Sequence, residues 1–351
     1  MYKLWVSYIY PKMVFSFMNS NYDTFGDRVS DSKWKILALM VILMIVAFSI
    51  HNMMSDRKEV IKVSGAYALY PMMTIWAEEY EKVNPDVVID ISGGGAGKGM
   101  ADAISGMVHI GMVSRDIYPE EEERGAFYVA VCKDAVVPTI NSNNPVLDTL
   151  QERGITKDEF VQIFITREIS TWGQLSGRSE ITDPIRVYTR ADACGAAKTW
   201  AEYLGDYQQE DLTNNADVAI MHDPDLAEAI KNDRFGIGYN NINFVYDMRS
   251  GIPMSGLAIV PVDINGNGTI DDWENFYSTR DDIIDAISQD LYPSPPARDL
   301  YLVTKDGFTG ASRDFVIWIL DEGQQYVSQG GYVTLPQDLI EHQISKMGEV
   351  L

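Results

Sequence analysis

Short runs of β-branched residues alternate with longer amphipathic stretches from Glu59 onward. This alternation of strand-like and helix-like periods is typical of an α/β fold. The runs that predict strands are residues 60–63, 87–91, 110–113, 126–131, 135–140, 185–188, 236–239 and 257–262. The stretches that predict helices are residues 70–83, 97–105, 157–163, 193–204, 224–231 and 312–329. The sequence contains no evident internal repeat and no low-complexity tract.

One apolar stretch near the N-terminus departs from the alternation. Residues 36–50 contain no charged side chain, and the run continues to residue 54 before Asp56, Arg57 and Lys58 end it. A soluble helix would carry a polar face, so this length fits a single membrane anchor or a signal-peptide core. We therefore expect a leader of uncertain structure over residues 1–33 and a transmembrane anchor or signal segment over residues 34–54. A retained anchor would hold the remainder outside the cytoplasm at the cell membrane, and cleavage would release it.

Composition narrows the class of protein. The chain has 351 residues, which is enough for two lobes, and its formal net charge is -23. This charge argues against a nucleic-acid partner, because phosphate backbones need Lys and Arg to replace their counterions. The two cysteines, Cys132 and Cys194, exclude a disulfide framework and a four-thiolate zinc site. They are either core thiols or one bridge between them.

A glycine-rich turn lies between a predicted strand and a predicted helix. Residues 92–99 read Ser-Gly-Gly-Gly-Ala-Gly-Lys-Gly. The spacing fails both the P-loop and the dinucleotide-binding pattern, since Ser92 and Gly99 stand where a P-loop needs Gly and Ser or Thr. The free amides at the start of such a helix favour an anion, here around Ala96 and Gly97. A purely structural turn is the alternative.

A second candidate anion site is the segment from Thr189 to Trp200, where a predicted strand ends and a helix begins. Asp192 is the expected N-cap, which would leave the amides of Cys194, Gly195 and Ala196 free for a ligand. Arg190 would add a planar fork of charged donors that matches two oxygens of one oxyanion. Taken alone, this arginine could equally form a surface salt bridge.

Four segments of the chain resemble, in the same order, the binding segments of phosphate-transporter binding proteins. They are residues 64–71 (SGAYALYP), 93–99 (GGGAGKG), 111–115 (GMVSR) and the Arg190 segment. Residues 236–239 and the tail over residues 294–333 also resemble that family. The resemblance therefore extends over nearly the whole chain after Glu59.

This resemblance implies a periplasmic-binding-protein type II fold, in which two α/β lobes, each a sheet flanked by helices, are joined by crossover strands and close over an anion. Lobe one would contain residues 59–137 and 250–351, and lobe two residues 138–249. The implied function is the extracytoplasmic solute-binding subunit of an ABC importer, a monomer that binds inorganic phosphate and delivers it to permease subunits. The implied anion-binding residues are Leu69, Tyr70, Ala96, Gly97, Ser114, Arg115, Arg190, Asp192, Cys194, Gly195 and Ala196.

The sequence departs from this family at several of those positions. Ala96, Cys194 and Ala196 stand where relatives usually carry Ser, Ser and Thr, and Arg115 stands where some phosphate binders place Asp. Each lost hydrogen bond to a charged ligand is worth about 1.5–3 kcal/mol. Molybdate, tungstate and sulfate therefore remain alternatives to phosphate, and a tethered anion sensor or adhesion module remains an alternative to an importer subunit.

Residues 263–274 match the twelve-residue EF-hand loop at every key position. The predicted oxygen ligands of a structural Ca²⁺ are Asp263, Asn265, Asn267, the carbonyl of Thr269, Asp271 and Glu274. An empty Asn-Gly turn in an acidic loop is the alternative.

Motifs of common enzymes are absent from the sequence. The four histidines are far apart and form no HExxH, and no serine lies in a GxSxG elbow. A hydrolase built on unpaired carboxylates is the rival that sequence leaves open. We expect a binding protein and not an enzyme.

Overall fold

The computed structural model describes residues 37–46 and 58–348. It divides into two units, Met1–Arg57 and Lys58–Leu351. In the first unit, residues 37–46 are helical with exposed side chains. Among the described residues, we find no helix that combines the length and the apolar character needed to cross a membrane. The leader predicted over residues 1–33, and both ends of the segment predicted over residues 34–54, lie outside the described residues.

The second unit alternates strands and helices along its whole length. The strands are β1 (Glu59–Gly65), β2 (Val87–Gly93), β3 (Ile110–Val113), β4 (Ala126–Asn141), β5 (Ile155–Thr156), β6 (Arg186–Arg190), β7 (Val218–Ile220), β8 (Gly236–Asn241), β9 (Leu257–Ile259), β10 (Val262–Asp263) and β11 (Ala297–Lys305). The α-helices are α1 (Tyr70–Val83), α2 (Gly95–Ile104), α3 (Pro119–Glu123), α4 (Leu147–Arg153), α5 (Lys157–Phe164), α6 (Trp172–Ser176), α7 (Gly195–Leu204), α8 (Gln209–Asn215), α9 (Asp223–Lys231), α10 (Arg280–Ser288), α11 (Gly310–Leu320) and α12 (Gln337–Gly348). Short 3₁₀ turns cover Tyr67–Leu69, Ile242–Phe244 and Glu322–Tyr326.

A nine-stranded mixed sheet runs through this unit in the order β2-β1-β3-β11-β4-β8-β6-β7, with β9 also paired to β4. On one side of the sheet, β1 is parallel to β2 and β3. On the other side, β6 is parallel to β7 and β8. Strand β4, 16 residues long, connects the two sides, because its first half pairs antiparallel with β11 and its second half with β8 and β9. Two strands predicted from the sequence, at 126–131 and 135–140, are therefore one.

Two separate apolar cores lie along this sheet. The first includes residues from Ile61 to Cys132 and from Leu300 to Met347, and the second includes residues from Ala135 to Ala297. Strands β4 and β11 leave one core and enter the other, so they are the crossover strands. The predicted two-lobed α/β architecture is confirmed.

The predicted boundary between the lobes is wrong in one place. Residues 257–297, which the sequence analysis assigns to lobe one, pack in the second core. The reason is strand pairing, since β9 pairs with the second half of β4 and β10 pairs with β5. From here on, lobe one means residues 59–132 and 300–347, and lobe two means residues 135–297, which include the EF-hand-like loop.

The cysteines lie in different cores. Cys132 is buried in lobe one and Cys194 in lobe two, and both are free thiols. The structure therefore favours the core-thiol interpretation over a bridge between them.

Candidate anion-binding site

Arg190 ends strand β6 and is completely buried. Its Nε and Nη2 donate to the two carboxylate oxygens of Asp192 at 2.8 and 2.6 Å. Its Nη1 lies 2.5 Å from Asp223 Oδ2. The angles at Nη1 do not meet those of a hydrogen bond, and among the described residues this atom has no hydrogen-bond acceptor. The surface-salt-bridge alternative is therefore wrong, because this ion pair is buried.

The charges around Arg190 are strongly coupled. Burial opposes the charge of the guanidinium, but Cys194, Asp223 and Asp192 raise the pKa of Arg190 above its ordinary value. Burial also acts against ionised Asp192, yet the hydrogen bonds and charge of Arg190 lower the pKa of that carboxyl. Burial raises the pKa of the Cys194 thiol to about 12, so this side chain is neutral at physiological pH.

Helix α7 begins beside Arg190 and presents its first amides. The N-cap is Cys194, whose Sγ accepts the N–H of Ala197 at 3.4 Å. The prediction that Asp192 caps this helix is wrong, because its carboxylate binds Arg190 instead. Cys194 N–H donates to Gln209 Oε1 at 3.3 Å, whereas Gly195 and Ala196 are the first helical residues and have no carbonyl a turn earlier. Their amides remain suited to an anion.

Helix α2 of lobe one starts opposite the start of α7. Gly97 N–H donates across the cleft to Ala193 O at 3.3 Å. A Cβ added at Gly95 would lie 2.8 Å from Ala193 O and 3.2 Å from Asp192 Oδ2. The glycine-rich turn is thus in contact with lobe two. Ala96, completely buried in the same turn, lies at the start of α2.

Ser114, just after β3 in lobe one, meets the start of α7. A Cβ added at Gly195 would lie 2.1 Å from Ser114 O and 2.2 Å from its Oγ. Only glycine allows this approach, since real Cβ atoms essentially never come so close. The two lobes are therefore closed on each other, with Ser114, Gly195 and the glycine-rich turn at their contact.

Some of the predicted anion-binding groups already donate hydrogen bonds within the protein. The N–H groups of Leu69 and Tyr70 donate to Ala66 O and Tyr67 O in the first 3₁₀ turn. The guanidinium of Arg115 donates to Glu121 at 2.7 and 2.9 Å and to Asp116 O at 2.7 Å. These groups have fewer donors left for a ligand than Arg190 and the α7 amides.

Arg115 faces a different space from the start of α7. Its guanidinium lies 4.1 Å from the centre of the Tyr118 ring and lines a cavity of about 310 Å³ beside the crossover strands. Lys133 and Arg298 line the same cavity. The role of Arg115 as an anion donor stays a prediction.

The start of α9 belongs to the site although its sequence gave no clear signal. His222 has φ 67° and ψ 146°, a conformation that is unfavourable for a residue with a side chain. Its ring centre lies 5.2 Å from that of Tyr67 in lobe one. The next residue, Asp223, is buried against Arg190. Both residues are some thirty positions from Arg190, so only the parallel pairing of β6 and β7 brings them near it.

The EF-hand-like loop folds around its first and last residues. Both oxygens of Asp263 accept backbone N–H groups, from Gly266 and Asn267 at one and from Gly268 at the other. The buried Glu274 carboxylate accepts the N–H groups of Ile264, Asn265 and Asp271.

The side chains at the middle of that loop also meet. Asn265 and Asn267 both contact Asp271 Oδ2, at 2.8 and 3.0 Å, and Thr269 N–H donates to Asn267 Oδ1. Within residues 37–46 and 58–348, no cluster of three His, Cys, Asp or Glu side chains is arranged to hold a metal. An EF-hand set differs from such a cluster, because it draws on amide and main-chain oxygens as well. The donor types present here fit Ca²⁺.

Comparisons with known proteins identify the family. A 24% identical relative is the phosphate-binding protein PstS of Staphylococcus saprophyticus, aligned over 83% of this chain and 85% of that protein. PstS of Bacillus subtilis is 29% identical, over 46% of this chain and about half of its own length. Among solved structures, a Clostridium perfringens protein described as a phosphate ABC transporter substrate-binding protein, crystallised with phosphate, has a TM-score of 0.63 and 24% identity, covering 79% of this chain and 100% of that one. The family model described as PBP superfamily domain matches residues 53–322, and the chain belongs to this superfamily.

Proposed function

We propose that this protein is the extracytoplasmic solute-binding subunit of an ABC importer, and that it closes two lobes around inorganic phosphate. The observation that carries the proposal is Arg190, a completely buried guanidinium that is ion-paired with Asp192 and Asp223 and lies beside the first amides of α7, where the two lobes meet. A guanidinium and the free amides of a helix start are the groups that bind an oxyanion. The names of the relatives in Staphylococcus saprophyticus and Bacillus subtilis support phosphate as that ligand.

The proposed mechanism is binding without chemical change. In the open form, the start of α2 and Ser114 belong to lobe one, while Arg190 and the start of α7 belong to lobe two. An anion that accepts hydrogen bonds from both sides is bound most tightly when the lobes close, so it shifts the population toward the closed form. We propose that this closed form docks on the permease subunits as a monomer.

Phosphate is proposed ahead of other oxyanions, although Ala96, Cys194 and Ala196 lack hydroxyl groups. Calorimetric titration of the purified protein with phosphate, sulfate, molybdate and tungstate tests this order. We expect phosphate to bind most tightly, and tighter binding of another anion would replace phosphate by that ligand. Absence of binding by all four would contradict the importer proposal and favour an adhesion module.

We also propose that residues 34–54 anchor the protein in the cell membrane, because residues 36–50 contain no charged side chain. Membranes from cells that express the full chain provide the test. An anchored protein resists alkaline carbonate and dissolves only in detergent. Recovery of a shortened protein from the medium would instead indicate cleavage and secretion.

We further propose that the loop over residues 263–274 binds a structural Ca²⁺ through Asp263, Asn265, Asn267, Thr269, Asp271 and Glu274. The sequence spacing and the donor types support it. The bound ion would stabilise the fold by mass action, since it binds only the folded loop. The loop is attached to lobe two at two places. Strand β10 pairs with β5, and Ile270 N–H donates to Glu152 O, so ordering of the loop by Ca²⁺ would stabilise lobe two.

Thermal unfolding with Ca²⁺ and with chelator tests the calcium proposal. We expect Ca²⁺ to raise the Tm of the unaltered protein, and Glu274→Gln to remove most of that increase because it removes a bidentate carboxylate. Asp272→Asn is the matched control, since this exposed residue is not at a ligand position. A Tm of the unaltered protein that does not respond to chelator would contradict the proposal.

A further inference from the structure

The candidate anion site carries an excess of negative charge before any ligand enters. Arg190 contributes one positive charge, and the carboxylates of Asp192 and Asp223 contribute two negative charges when ionised. All three side chains are shielded from water, with exposed fractions of 0%, 9% and 4%. At such low solvent exposure, a further anion placed against Arg190 would meet a site with a net charge of -1, which repels it.

The position of Asp223 is built into the fold. Its Oδ1 accepts Asn241 Nδ2 at 2.6 Å, and Asn241 Oδ1 accepts Arg298 Nη2 in turn. Arg298 is itself paired with Asp134, at 2.8 Å on the crossover strands, so this pair adds no net charge. The unfavourable backbone of His222 persists because its surroundings require it. Asp223 is therefore held beside Arg190 by contacts on both sides.

The two carboxylates beside Arg190 differ in environment. Asp192 makes two hydrogen bonds to Arg190, and these lower its pKa despite its burial. Asp223 Oδ2 lies 2.5 Å from Nη1, and burial raises the pKa of Asp223 above the ordinary value of 3.8 although Arg190 acts in the opposite direction. When the environments of two neighbouring carboxyls shift their pKa values in opposite directions, the group with the raised pKa is protonated first. Here that group is Asp223.

We propose that Asp223 is a specificity-determining residue that takes up one proton from the solvent when the oxyanion binds, so that the anion and a proton enter the closed site together. This inference rests on the proposed function. The Asp223 carboxylate becomes a carboxylic acid, no other bond changes, and the proton comes from water or buffer. The neutral acid removes the repulsion and adds an O–H donor beside Arg190.

Other titratable groups surround Asp223 and bear on the test. They are Arg190, Arg298, Asp192, Cys194, Tyr67, His222 and Asp225. His222 precedes Asp223 in the chain, and its Nδ1 lies 3.0 Å from Asp225 Oδ2. A variant His222→Gln therefore separates its contribution from that of Asp223.

The first measurement uses the unaltered full-length protein and phosphate. Calorimetric titration in buffers of different ionisation enthalpy gives the protons taken up by the whole system, and the ³¹P chemical shift of bound phosphate gives the protons that the ligand carries. The difference is the uptake by the protein, which we expect to be about one proton at a pH above the pKa of Asp223. Phosphate binding with no uptake by the protein would overturn the inference and leave the proposed function intact. Absence of phosphate binding would overturn the proposed function, and this inference with it.

The second measurement compares Asp223→Asn with Asp225→Asn, an exposed acid two residues farther along the same helix. If binding takes up one proton, phosphate affinity falls about tenfold for each unit by which the pH rises. We expect this additional slope in the unaltered protein and not in Asp223→Asn. Asp225→Asn and His222→Gln should keep the slope of the unaltered protein. Equal slopes for Asp223→Asn and the unaltered protein would overturn the inference, as would a flattened slope in His222→Gln.

Asp223→Asn places an NH₂ group against either Arg190 or Asn241, so this variant could lose stability. The folded fraction is measured by its melting curve, which also gives a readout without ligand. Because burial raises the pKa of Asp223, the folded state binds more protons than the unfolded state above pH 3.8. The unaltered protein therefore loses stability relative to Asp223→Asn as the pH rises through the folded pKa. If the variant does not fold, the proton count of the unaltered protein decides alone.

Discussion

Arg190 and Arg115 follow similar strands in the two lobes, and both are paired with carboxylates, yet their surroundings differ. Glu121 and the Asp116 carbonyl together engage both terminal nitrogens of Arg115, and its guanidinium stacks on Tyr118. Asp192 accepts hydrogen bonds from Nε and Nη2 of Arg190, whereas Nη1 is ion-paired with Asp223 at 2.5 Å and does not meet hydrogen-bond angles. An arginine at a strand end is therefore available to a ligand only if its neighbours leave part of the fork unused. Substitutions at four positions test this contrast.

The largest effect is expected at Arg190. Arg190→Ala removes the charge between Asp192 and Asp223, so we expect phosphate affinity to fall by about a thousandfold or more, the usual cost of breaking a buried charged contact. Arg190→Lys keeps the charge but loses the fork, and it should bind at least about tenfold more weakly. Calorimetry measures both. Arg186→Ala, an exposed arginine on the same strand, is the control that should bind normally. Unchanged affinity in Arg190→Lys and Arg190→Ala would remove Arg190 from the site.

Gly195→Ala should have the next largest effect, because its methyl group would enter the space occupied by Ser114. We expect phosphate affinity to fall by about tenfold to a hundredfold, since the lobes cannot close completely. Small-angle X-ray scattering with phosphate would show a larger radius of gyration than for the unaltered protein. Gly348→Ala, where a Cβ meets nothing within 4 Å, is the control. A variant that closes normally would contradict this role of Gly195.

Cys194→Ser is expected to strengthen binding. The hydroxyl group can cap α7 in place of the sulfur and donate to the anion, which the buried neutral thiol does poorly. A gained hydrogen bond to a charged ligand corresponds to about a tenfold higher affinity. Titration of Cys194→Ser beside Cys132→Ser, whose thiol is buried in the other lobe, measures the difference. Equal affinities of Cys194→Ser and the unaltered protein would show that the anion does not reach this side chain.

The smallest effect on binding is expected at Arg115. Arg115→Gln should change phosphate affinity by less than about threefold, because its guanidinium already serves Glu121 and Asp116. The lost ion pair and stacking should instead lower the free energy of unfolding by about 1 kcal/mol, measured by urea unfolding. A loss of affinity as large as that of Arg190→Ala would restore Arg115 to the donor set and abolish the contrast.

Much of the fold could be predicted because its elements are regular. The predicted helix at 70–83 matches α1, and the predicted strand at 110–113 matches β3. The sequence analysis placed a break between residues 131 and 135, but Lys133 and Asp134 pair with Asp299 and Arg298 on β11, which no local pattern reveals. The lobe assignment of residues 257–297 failed for the same reason, since it depends on pairing with distant strands.

The site was predicted only as far as local segments determine it. The glycine and small residues near the strand ends predicted helix starts at residues 97 and 193, each two residues from the observed starts at 95 and 195. The contact of Asp223 with Arg190, and the capture of Arg115 by Glu121, depend on side-chain partners that sequence spacing does not determine. The presence of the arginines was predictable, but their availability was not.

The way the chain passes between the two cores has a consequence for biosynthesis. Lobe two is one uninterrupted insertion, whereas lobe one needs β11 and residues 300–347 to complete its sheet and cover its apolar face. As the polypeptide leaves the ribosome, all of lobe two is synthesised before the last segment of lobe one. Lobe one therefore cannot complete its core until synthesis reaches residues 300–347. We expect lobe one, rather than lobe two, to be the substrate for chaperones during synthesis.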